Sequence, residues 1–562
     1  MRVPTRTTRA MAIAMAGVFA LSACGGSDGG SGDGGSGDGA TSGEAAGNPD
    51  GVWSMYIGQP ENALVPGNTS ETEGGQVVDS LWTGLVQYSR DDVSVEYSGV
   101  AESIESEDQQ NWTITLKEGW TFHDGTPVTA SSFVDAWNYT ALSDNAQQNS
   151  YFFGNVQGYD DLQGEVDDEG NVIAPPAATE MSGLEVVDEQ TFTVALDAPF
   201  TQYPLTLGYT AFYPLSEAFL ADPEAGATAT PVGNGPFMAE APLSDGQGIE
   251  LVRYDDYAGE GAAQSGGVNY RIYTDVNTAY NDVQGGNLDL VDQIPPDAIA
   301  SAEDLFGERF LESESSSFQY LGYPTYDERF ADPRVRQALS MAIDRDAIAE
   351  AIFQGSRVPA DDFVSPVVNG YREGACEYCA LDVDAANALL DEAGFDRSQP
   401  VELWFNSGAG HDAWVQAVGN QLRENLGIEY TLNGDLDFSQ YLPLGDAQDF
   451  TGPFRSGWVM DYPSMQNYLE SLFSTGAQPP AGSNNTFYSN PDFDALIAEA
   501  NSAPTDDEAV ELYQEADDLL LEDMPAIPMF FSVVQSVWSE NISNVYVDPF
   551  TRVDAASVTV NS

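Results

Sequence analysis

The stretch WTITLKEGWTFHDGTPVTASSFVDAW, residues 112–137, decides the fold. Trp112, Ile114 and Leu116 alternate with polar residues, which is the period-two pattern of a strand with one buried face. A turn follows at Phe122-His123-Asp124-Gly125, and the Thr-Ala pair beyond it begins an apolar helical segment. The stretch therefore predicts a strand, a tight turn and a helix in succession, with His123 in a structural role in the turn.

Segments on both sides of this stretch repeat the same mixture of strands and helices. Phe192 to Leu196 alternates like a second strand. Asp332-Pro333 and Asn490-Pro491 each place a capping residue before a proline at the first helical position. Asp384 is predicted to open another helix, which ends at Gly394. Strands and helices that do not alternate strictly predict a multi-lobed α/β protein with mixed sheets.

The N-terminus has the organisation of a bacterial export signal. A basic leader precedes the apolar run Met11–Ala20, which is too short to span a bilayer. Leu21-Ser22-Ala23-Cys24 resembles the lipobox of bacterial lipoproteins, and Gly, Ser, Asp and Ala dominate the residues that follow. We predict a signal peptide over residues 1–23, a lipid on Cys24 and a flexible tether over 24–49. The alternative is an ordinary secretory signal that happens to end before a cysteine.

The composition excludes several classes of function. The chain has 90 acidic and 18 basic residues, a net charge of −72, so too few cations are present to neutralise nucleic-acid phosphates. The acidity is typical of solubility in a saline exterior or in a high-G+C organism, although it can also attract cationic ligands. Beyond the leader, no stretch is long and apolar enough to cross a membrane.

The cysteines and histidines offer little chemistry. Cys376 and Cys379 form a C-x-x-C pair. A zinc site would need two further ligands, and the only histidines, His123 and His411, lie far away in sequence. An oxidising exterior favours a local disulfide. A metal or redox site and free thiols are the alternatives.

Enzyme motifs are absent from the sequence. Beyond the Gly/Ser-rich tether it contains no G-x-S-x-G, and it has no H-E-x-x-H or P-loop pattern. A hydrolase with paired carboxylates stays open, because 90 acidic residues make such pairs unavoidable and none of them diagnostic. We therefore do not expect an enzyme, and we expect no catalytic residues, cofactor or metal.

Four blocks of the sequence resemble family 5 extracellular solute-binding proteins, the peptide- and nickel-type receptors of ABC importers. The first is residues 112–137, quoted above. Gly233 to Phe237 resembles the family's N-G-x-aromatic turn, and FADPRVRQALSMAIDRDAI, residues 330–348, resembles its most recognisable helix. RSGWVMDYP, residues 455–463, resembles the R-x-G-W-x-x-D-Y block of the oligopeptide-binding branch. The blocks run over nearly the whole chain beyond the tether.

The resemblance implies a two-lobed, periplasmic-binding-protein-like α/β fold that closes over its ligand. Lobe one is expected to comprise residues 50–86, 216–317 and 532–562, with an extra domain inserted at 87–215. Lobe two is expected at 318–531. The implied protein is a monomer, held by its lipid on the outer face of the cytoplasmic membrane, that passes oligopeptides to the permease subunits of an ABC transporter.

The resemblance also implies two charged ends of a peptide site. Asp461 matches the acidic residue that takes the ligand's ammonium group. Arg455 and His411 fall where the peptide-binding branch has cations that meet ligand carboxylates, although His411 could instead be an exposed loop residue. The family offers a lysine near the end of the signature helix, where this chain reads Ile352-Phe353-Gln354. That departure puts in doubt any ligand length that depends on the lysine.

The ligand backbone is expected to pair as an added strand. One face would come from Ser70, Glu71 and Thr72 and the other from Trp458 and Val459. The family's pocket-lining aromatic residues are matched by a further set: Tyr151, Phe438 and, again, Trp458.

Three other functions compete with peptide uptake. The same architecture could bind an oligosaccharide or a metal chelate, in which case Trp458 would stack on the ligand. A peptide-sensing lipoprotein and an anchored hydrolase are alternatives of another class. Binding without turnover would exclude the hydrolase, and a transport defect in a deletion strain would separate uptake from sensing.

Overall fold

The computed structural model describes residues 47–69, 71–166, 172–295, 297–479 and 482–562. The predicted signal peptide, Cys24, nearly all of the tether and Ser70 lie outside the described residues. A search of the described helices finds none with the length and apolarity needed to span a membrane.

Strands and helices alternate irregularly along the described residues. The strands are β1 Val52–Ile57, β2 Gln87–Tyr88, β3 Val95–Glu96, β4 Ala101–Ser106, β5 Asn111–Leu116, β6 Glu165–Val166, β7 Val172–Ala174, β8 Leu184–Val186, β9 Thr191–Ala195, β10 Phe237–Ala239, β11 Gly248–Arg253, β12 Gly267–Ile272, β13 Leu290–Val291, β14 Phe310–Gly322, β15 Arg357–Pro359, β16 Val401–Trp404, β17 Tyr430–Asn433, β18 Phe454–Trp458, β19 Ala526–Trp538, β20 Ile542–Ser543 and β21 Thr559–Val560.

The helices lie between and around these strands. They are α1 Thr72–Leu81, α2 Ala130–Ala141, α3 Tyr203–Thr206, α4 Glu217–Ala221, α5 Pro223–Gly226, α6 Val276–Gln284, α7 Ile299–Phe306, α8 Pro333–Met341, α9 Arg345–Ile348, α10 Val383–Ala393, α11 His411–Leu426, α12 Phe438–Asp446, α13 Met465–Phe473, α14 Pro491–Asn501 and α15 Asp506–Asp523. Short 3-10 turns join several of them.

One large mixed sheet runs through the molecule in the order β10-β11-β12-β1-β13-β19-β14-β18-β16-β17, with β15 attached to β19. β1 is parallel to β12 and β13, and β16 is parallel to β17 and β18. The other pairs in the sheet are antiparallel. The parallel strands thus fall into two groups, one in each half of the sheet, and the fold is the expected two-lobed α/β type.

β14 and β19 join the two groups of strands. Phe310 of β14 pairs with Val537 of β19, beside β13, whereas the other half of β14 pairs with β18 as well as with β19. The register of the pair shifts between Glu314 and Phe318. An irregularity of this kind bends a strand. We propose that the hinge lies at this bend, with the lobe boundaries at the positions suggested by the sequence.

The stretch 112–137 forms the strand, turn and helix that its pattern predicts. β5 is central to an antiparallel sheet ordered β4-β5-β9-β8, and Phe133 and Trp137 of α2 pack on it in one buried cluster. In the turn, the amide of Gly233 donates to Nδ1 of His123 over 3.1 Å, and Nε2 of His123 lies 3.2 Å from the Gly235 carbonyl. Burial lowers the pKa of His123 to about 4. A neutral imidazole therefore ties the signature turn to the Gly233–Phe237 turn.

The predicted helix starts are right in two places and wrong in one. The side chains of Asp332 and Asn490 accept backbone hydrogen bonds at the starts of α8 and α14. α10 begins earlier than predicted, because Asp382 rather than Asp384 is its cap and accepts from the amide of Ala385 over 2.9 Å. Gly394 ends this helix with φ 68°, a conformation that favours glycine.

The C-x-x-C pair is joined by a disulfide. Cys376 and Cys379 are bonded to each other, with their Cα atoms 5.3 Å apart. Both cysteines contact the cluster of apolar residues around α13 and α15 in lobe two. The bond closes a small local loop, and no metal-binding group of three or more His, Cys, Asp or Glu side chains is present in the described ranges.

Several carboxyl groups of this acidic chain are enclosed by protein. Burial raises the pKa of Asp292 to about 7, and the charge of Glu73 adds to the effect. One oxygen of Asp292, Oδ1, is buried with no hydrogen-bond partner among the described residues. Burial also raises the pKa of Asp548 to about 7. Both carboxyl groups bind protons more tightly in the folded chain than in the unfolded chain. Their protonation therefore increases the free energy of unfolding as the pH falls from about 7 to about 4.

We predict that Asp292→Asn raises the melting temperature at pH 8 and has progressively less effect towards pH 5. The substitution removes a buried charge at high pH, whereas at low pH the wild-type group is already neutral. Scanning calorimetry across this pH range measures the difference, with Asp304→Asn on an exposed face of α7 as the matched control. A pH-independent difference between Asp292→Asn and wild type would contradict the prediction.

Candidate ligand-binding site

β18 has one backbone edge that the other strands leave largely uncovered, although the Tyr441 hydroxyl donates to the Arg455 carbonyl on β18 over 2.9 Å. On one side it pairs with β14 along its whole length, from Phe454 to Trp458. On the other side it pairs with β16 only at Phe454, opposite Trp404. Beyond Phe454, this side of β18 therefore has no strand partner in the described part of the chain. Such an edge can add an extended peptide as a further strand.

Asp461 lies just beyond the C-terminal end of this edge, held by α13. Asn467 donates from Nδ2 to Oδ2 of Asp461 over 3.0 Å, and its Oδ1 accepts from the amide of Asp461 over 2.9 Å. The same Oδ1 accepts from Nε1 of Trp458 over 2.9 Å. Asn467 is 1% exposed. One buried amide thus orients both the carboxylate and the indole.

The carboxylate of Asp461 lacks a full counter-charge. Burial raises its pKa to about 6, and the hydrogen bond from Asn467 and the charge of Arg552 only partly offset this. Arg552 already pairs with Asp79, with 2.6 Å between Nη1 and Oδ2. Asp461 lines a cavity of about 830 Å³ together with residues distant in sequence that include Tyr88, Tyr209, Tyr213 and Phe550. A cation that entered here would recover part of the desolvation cost of the carboxylate.

Aromatic side chains lead towards Asp461. Tyr151 is 56% exposed, and its ring lies 4.4 Å from that of Phe152, which in turn lies 4.4 Å from that of Tyr209. The surrounding protein and the charge of Asp461 raise the pKa of Tyr151 and of Tyr209. The structure therefore brings Tyr151 and Trp458 near Asp461, and it adds Tyr209, which the sequence did not suggest. Phe438 is exposed at the start of α12, outside this group.

The opposite end of β18 carries positive charge. Arg455, near the start of β18, lies beside Arg357 of β15 and His411, the first residue of α11. Nη1 of Arg455 donates weakly to Oδ1 of Asn406 over 3.4 Å, and Nη1 of Arg357 donates to the Ser356 carbonyl over 2.6 Å. Within the described ranges, neither guanidinium pairs with a carboxylate, and both Nε atoms are buried without an acceptor.

His411 is neither exposed nor cationic, so both of its predicted roles need correction. It is buried, and its Nδ1 accepts from Nε1 of Trp414 over 3.2 Å. Burial, together with the charges of Arg455 and Arg357, lowers its pKa to about 3. The imidazole therefore stays neutral beside the two arginines. It contributes a polar ring to this end of the site, and the arginines contribute the charge.

Arg357 is a candidate site residue that sequence reasoning missed. It follows shortly after Gln354, near the position where the family pattern led us to look for a lysine. The signal that could have identified Arg357 is the rarity of basic residues, because the chain has only 18 of them. Burial and the charge of Arg455 lower the pKa of Arg357, which remains charged at neutral pH. Two guanidinium groups without a carboxylate partner in the described ranges form a local concentration of positive charge in a chain of net charge −72.

The lobe-one face differs from its predicted form. Glu71 is extended and stands at the cap of α1, but Thr72 is already the first helical residue and cannot extend a strand. The amides of the first helical turn have no acceptor inside the helix, so this end of α1 offers donors rather than a strand edge. Val459, directly after β18, is exposed.

Residues 97–480 match the family model described as bacterial extracellular solute-binding proteins, family 5 middle. The chain is a family 5 extracellular solute-binding protein. The family consists of binding proteins rather than enzymes, and its members are extracellular or periplasmic.

Relatives of this family 5 protein cover almost its whole length. It is 25% identical over 546 residues to the oligopeptide-binding protein OppA of Bacillus subtilis (strain 168), covering 93% of this chain and 94% of that one. An unliganded, open murein tripeptide-binding protein, MppA, superposes with a TM-score of 0.76 at 22% identity, over 92% of this chain and 98% of that one. Haemophilus influenzae OppA in complex with the peptide RPPGFSPFR gives 0.70 at 20% identity, over 92% and 100%. These structures share its fold.

We predict that Arg455→Gln and Arg357→Gln each raise the pKa of His411 towards 6.5, because each removes a positive charge that opposes protonation. The chain has only two histidines, so NMR of ¹³C-labelled histidine resolves both titrations. The pKa of His123, in the turn after β5, provides the control within the same spectrum and should not change. A wild-type His411 that titrates near 6.5 would contradict the proximity of the three groups.

Proposed function

We propose that this family 5 protein binds short peptides between its lobes and delivers them to an ABC permease. The observation that carries the proposal is the pair of opposite charges at the two ends of one largely uncovered strand edge. Asp461 lies at one end of β18, and Arg455 and Arg357 lie at the other. A peptide zwitterion has the same arrangement: an ammonium group, a backbone that pairs as a strand, and a carboxylate.

Desolvation explains why these charges matter. Enclosure strips water from both ends of a zwitterion, and each end must then meet an opposite charge or a hydrogen-bond partner. The pKa of Asp461 is raised because its carboxylate has lost hydration, and a ligand ammonium group would stabilise this carboxylate. The pKa values of both arginines are lowered because their guanidinium groups have lost hydration, and a ligand carboxylate would stabilise them. Ligand and protein thus relieve each other's desolvation in the closed cleft.

The spacing of the charges suggests the ligand length. Arg455 and Asp461 stand six positions apart in the sequence. At about 3.3 Å per residue of extended chain this is at most about 20 Å, and the arginine side chains reach inwards from one end. We propose ligands of about three to five residues. Backbone pairing beside a roomy cavity makes recognition tolerant of side-chain identity.

The named relatives support the peptide class. The B. subtilis relative is an oligopeptide-binding protein. One solved neighbour binds a murein tripeptide, and another was solved with a peptide bound. A receptor for a neutral oligosaccharide or a metal chelate would not use the unpaired charges at the ends of β18.

The decisive test is Asp461→Ala, which should nearly abolish peptide binding and leave the fold intact. An enclosed ammonium that loses its counter-charge costs about 3–5 kcal/mol, which is a loss of at least about 100-fold in affinity. Asp461→Asn should be nearly as damaging, because it keeps the shape but removes the charge. Calorimetry with tri- to pentapeptides, after partial unfolding has stripped any retained ligand, measures the effect. Asp384→Asn, exposed on α10, is the matched control.

Acetylation of the peptide's N-terminus completes a double-mutant cycle with Asp461→Ala. It should weaken wild-type binding as severely as the substitution does and hardly change binding to the variant. Equal losses from acetylation in both proteins would show that Asp461 does not meet the ammonium group. Tight binding of a neutral oligosaccharide by the wild type would overturn the peptide assignment itself.

We also propose that the protein is a lipoprotein on the outer face of the cytoplasmic membrane. The Leu21-Ser22-Ala23-Cys24 site and the small, polar residues after it support this placement. Anchoring would keep captured peptide near the permease.

We predict that Cys24→Ser moves the protein from the membrane fraction to the soluble fraction and leaves peptide affinity unchanged. A buried acyl chain contributes about 0.8 kcal/mol per CH₂ group, and the variant loses all of it. Immunoblots of fractionated cells measure the distribution, with Ser22→Thr as a conservative control. Retention of Cys24→Ser in the membrane lipid fraction would show that another anchor exists.

A further inference from the structure

The inserted domain reaches across to lobe two at one group of hydrogen bonds. The amide of Thr201 donates to the Asn501 carbonyl over 2.8 Å, and Nε2 of Gln109 donates to the Pro504 carbonyl over 2.9 Å. The hydroxyl of Thr201 also donates to the carbonyls of Asn501 and Ala503. These acceptors lie at the end of α14 and in the turn that joins it to α15.

Gln202 forms the centre of this contact. It is 4% exposed, and both ends of its side-chain amide are bound. Its Nε2 donates to the carboxylate of Asp506, the first residue of α15, and its Oε1 accepts from the hydroxyl of Ser464. Ser464 is 1% exposed. A single inserted-domain side chain thus holds the starts of two lobe-two helices.

One of those helix starts belongs to the binding site. Ser464 caps α13 by accepting from the amide of Gln466 over 3.0 Å, and it follows Asp461 by only three positions. α13 also carries Asn467, which orients Asp461. The bond from Ser464 to Gln202 therefore connects the inserted domain to the segment that presents the ammonium-binding carboxylate.

We propose that Gln202 is a closure latch that positions the Asp461 segment and slows ligand release, an inference that rests on the proposed function. Along the described chain, the backbone passes between the lobes through β14 and β19, and no covalent link accompanies the Gln202 contact. Opening the cleft at the hinge would expose these groups to water, which can replace each bond. The latch therefore stabilises the closed form only by the small net free energy of these hydrogen bonds. That free energy is enough to shift the equilibrium between the open and closed forms while opening remains possible.

Gln202→Ala tests the latch directly. The loss of two buried hydrogen bonds should raise the peptide dissociation rate about 10-fold, with the association rate changed less than about 2-fold. Stopped-flow tryptophan fluorescence with the same tri- to pentapeptides measures both rates. Asp506→Asn keeps an acceptor oxygen and should show a smaller change. Gln284→Ala, exposed at the end of α6, is the matched control and should behave as wild type.

A second readout needs no ligand. The amide of Thr201 is protected only by the Asn501 carbonyl of lobe two, so hydrogen exchange at this amide reports the latch itself. In the ligand-free protein, Gln202→Ala should speed its exchange about 10-fold, with an unchanged melting temperature.

Exchange and release rates equal to wild type in Gln202→Ala would overturn the latch. So would a Thr201 amide in the wild type that exchanges at the rate of an unstructured peptide, both with and without ligand. If wild type bound no peptide, the proposed function would fail, whereas the exchange of the Thr201 amide would still decide whether the latch exists.

Discussion

The antiparallel pairing of β14 with β19 carries the main connection between the two ends of the large sheet. Each strand has 13 residues, and the pair meets β13 at one end and β18 at the other. Because β14 covers one side of β18 completely and β16 covers the other side only at Phe454, the remaining edge faces away from the sheet's own strands. The proposed hinge and the uncovered edge thus follow from the same strand pairing.

Electrostatics adds a second constraint to this framework. The chain carries a net charge of −72, yet Arg455 and Arg357 lie enclosed without a carboxylate partner in the described ranges. At the other end, Asp461 lies enclosed next to an arginine that is already paired with Asp79. Both arrangements cost desolvation energy, and neither contributes to the stability of the ligand-free fold. Under the proposed function, a ligand with matching end charges would offset that cost.

Small polar side chains connect the binding site to more distant parts of the fold. Asn467 orients Asp461 and Trp458 from α13, and Ser464 links the same helix to Gln202 of the inserted domain. His123 makes a comparable tie between the signature turn and Gly233. Each of these side chains is buried or nearly so and is nearly saturated with hydrogen bonds, which is how a polar group is accommodated in an interior. The domains therefore meet through specific bonds as well as through apolar packing.

Local patterns in the sequence determined the strand and helix of residues 112–137, the helix starts at Asp332 and Asn490, and the family, and they predict an export signal. Alternation, capping and motif spacing act over a few residues, so they can be read without a fold. Tertiary structure alone decided that His411 is neutral, that Thr72 is helical and that Arg357 joins Arg455. These outcomes depend on burial and on charges brought together from distant positions, and the pKa of a side chain follows from such surroundings rather than from its sequence neighbours.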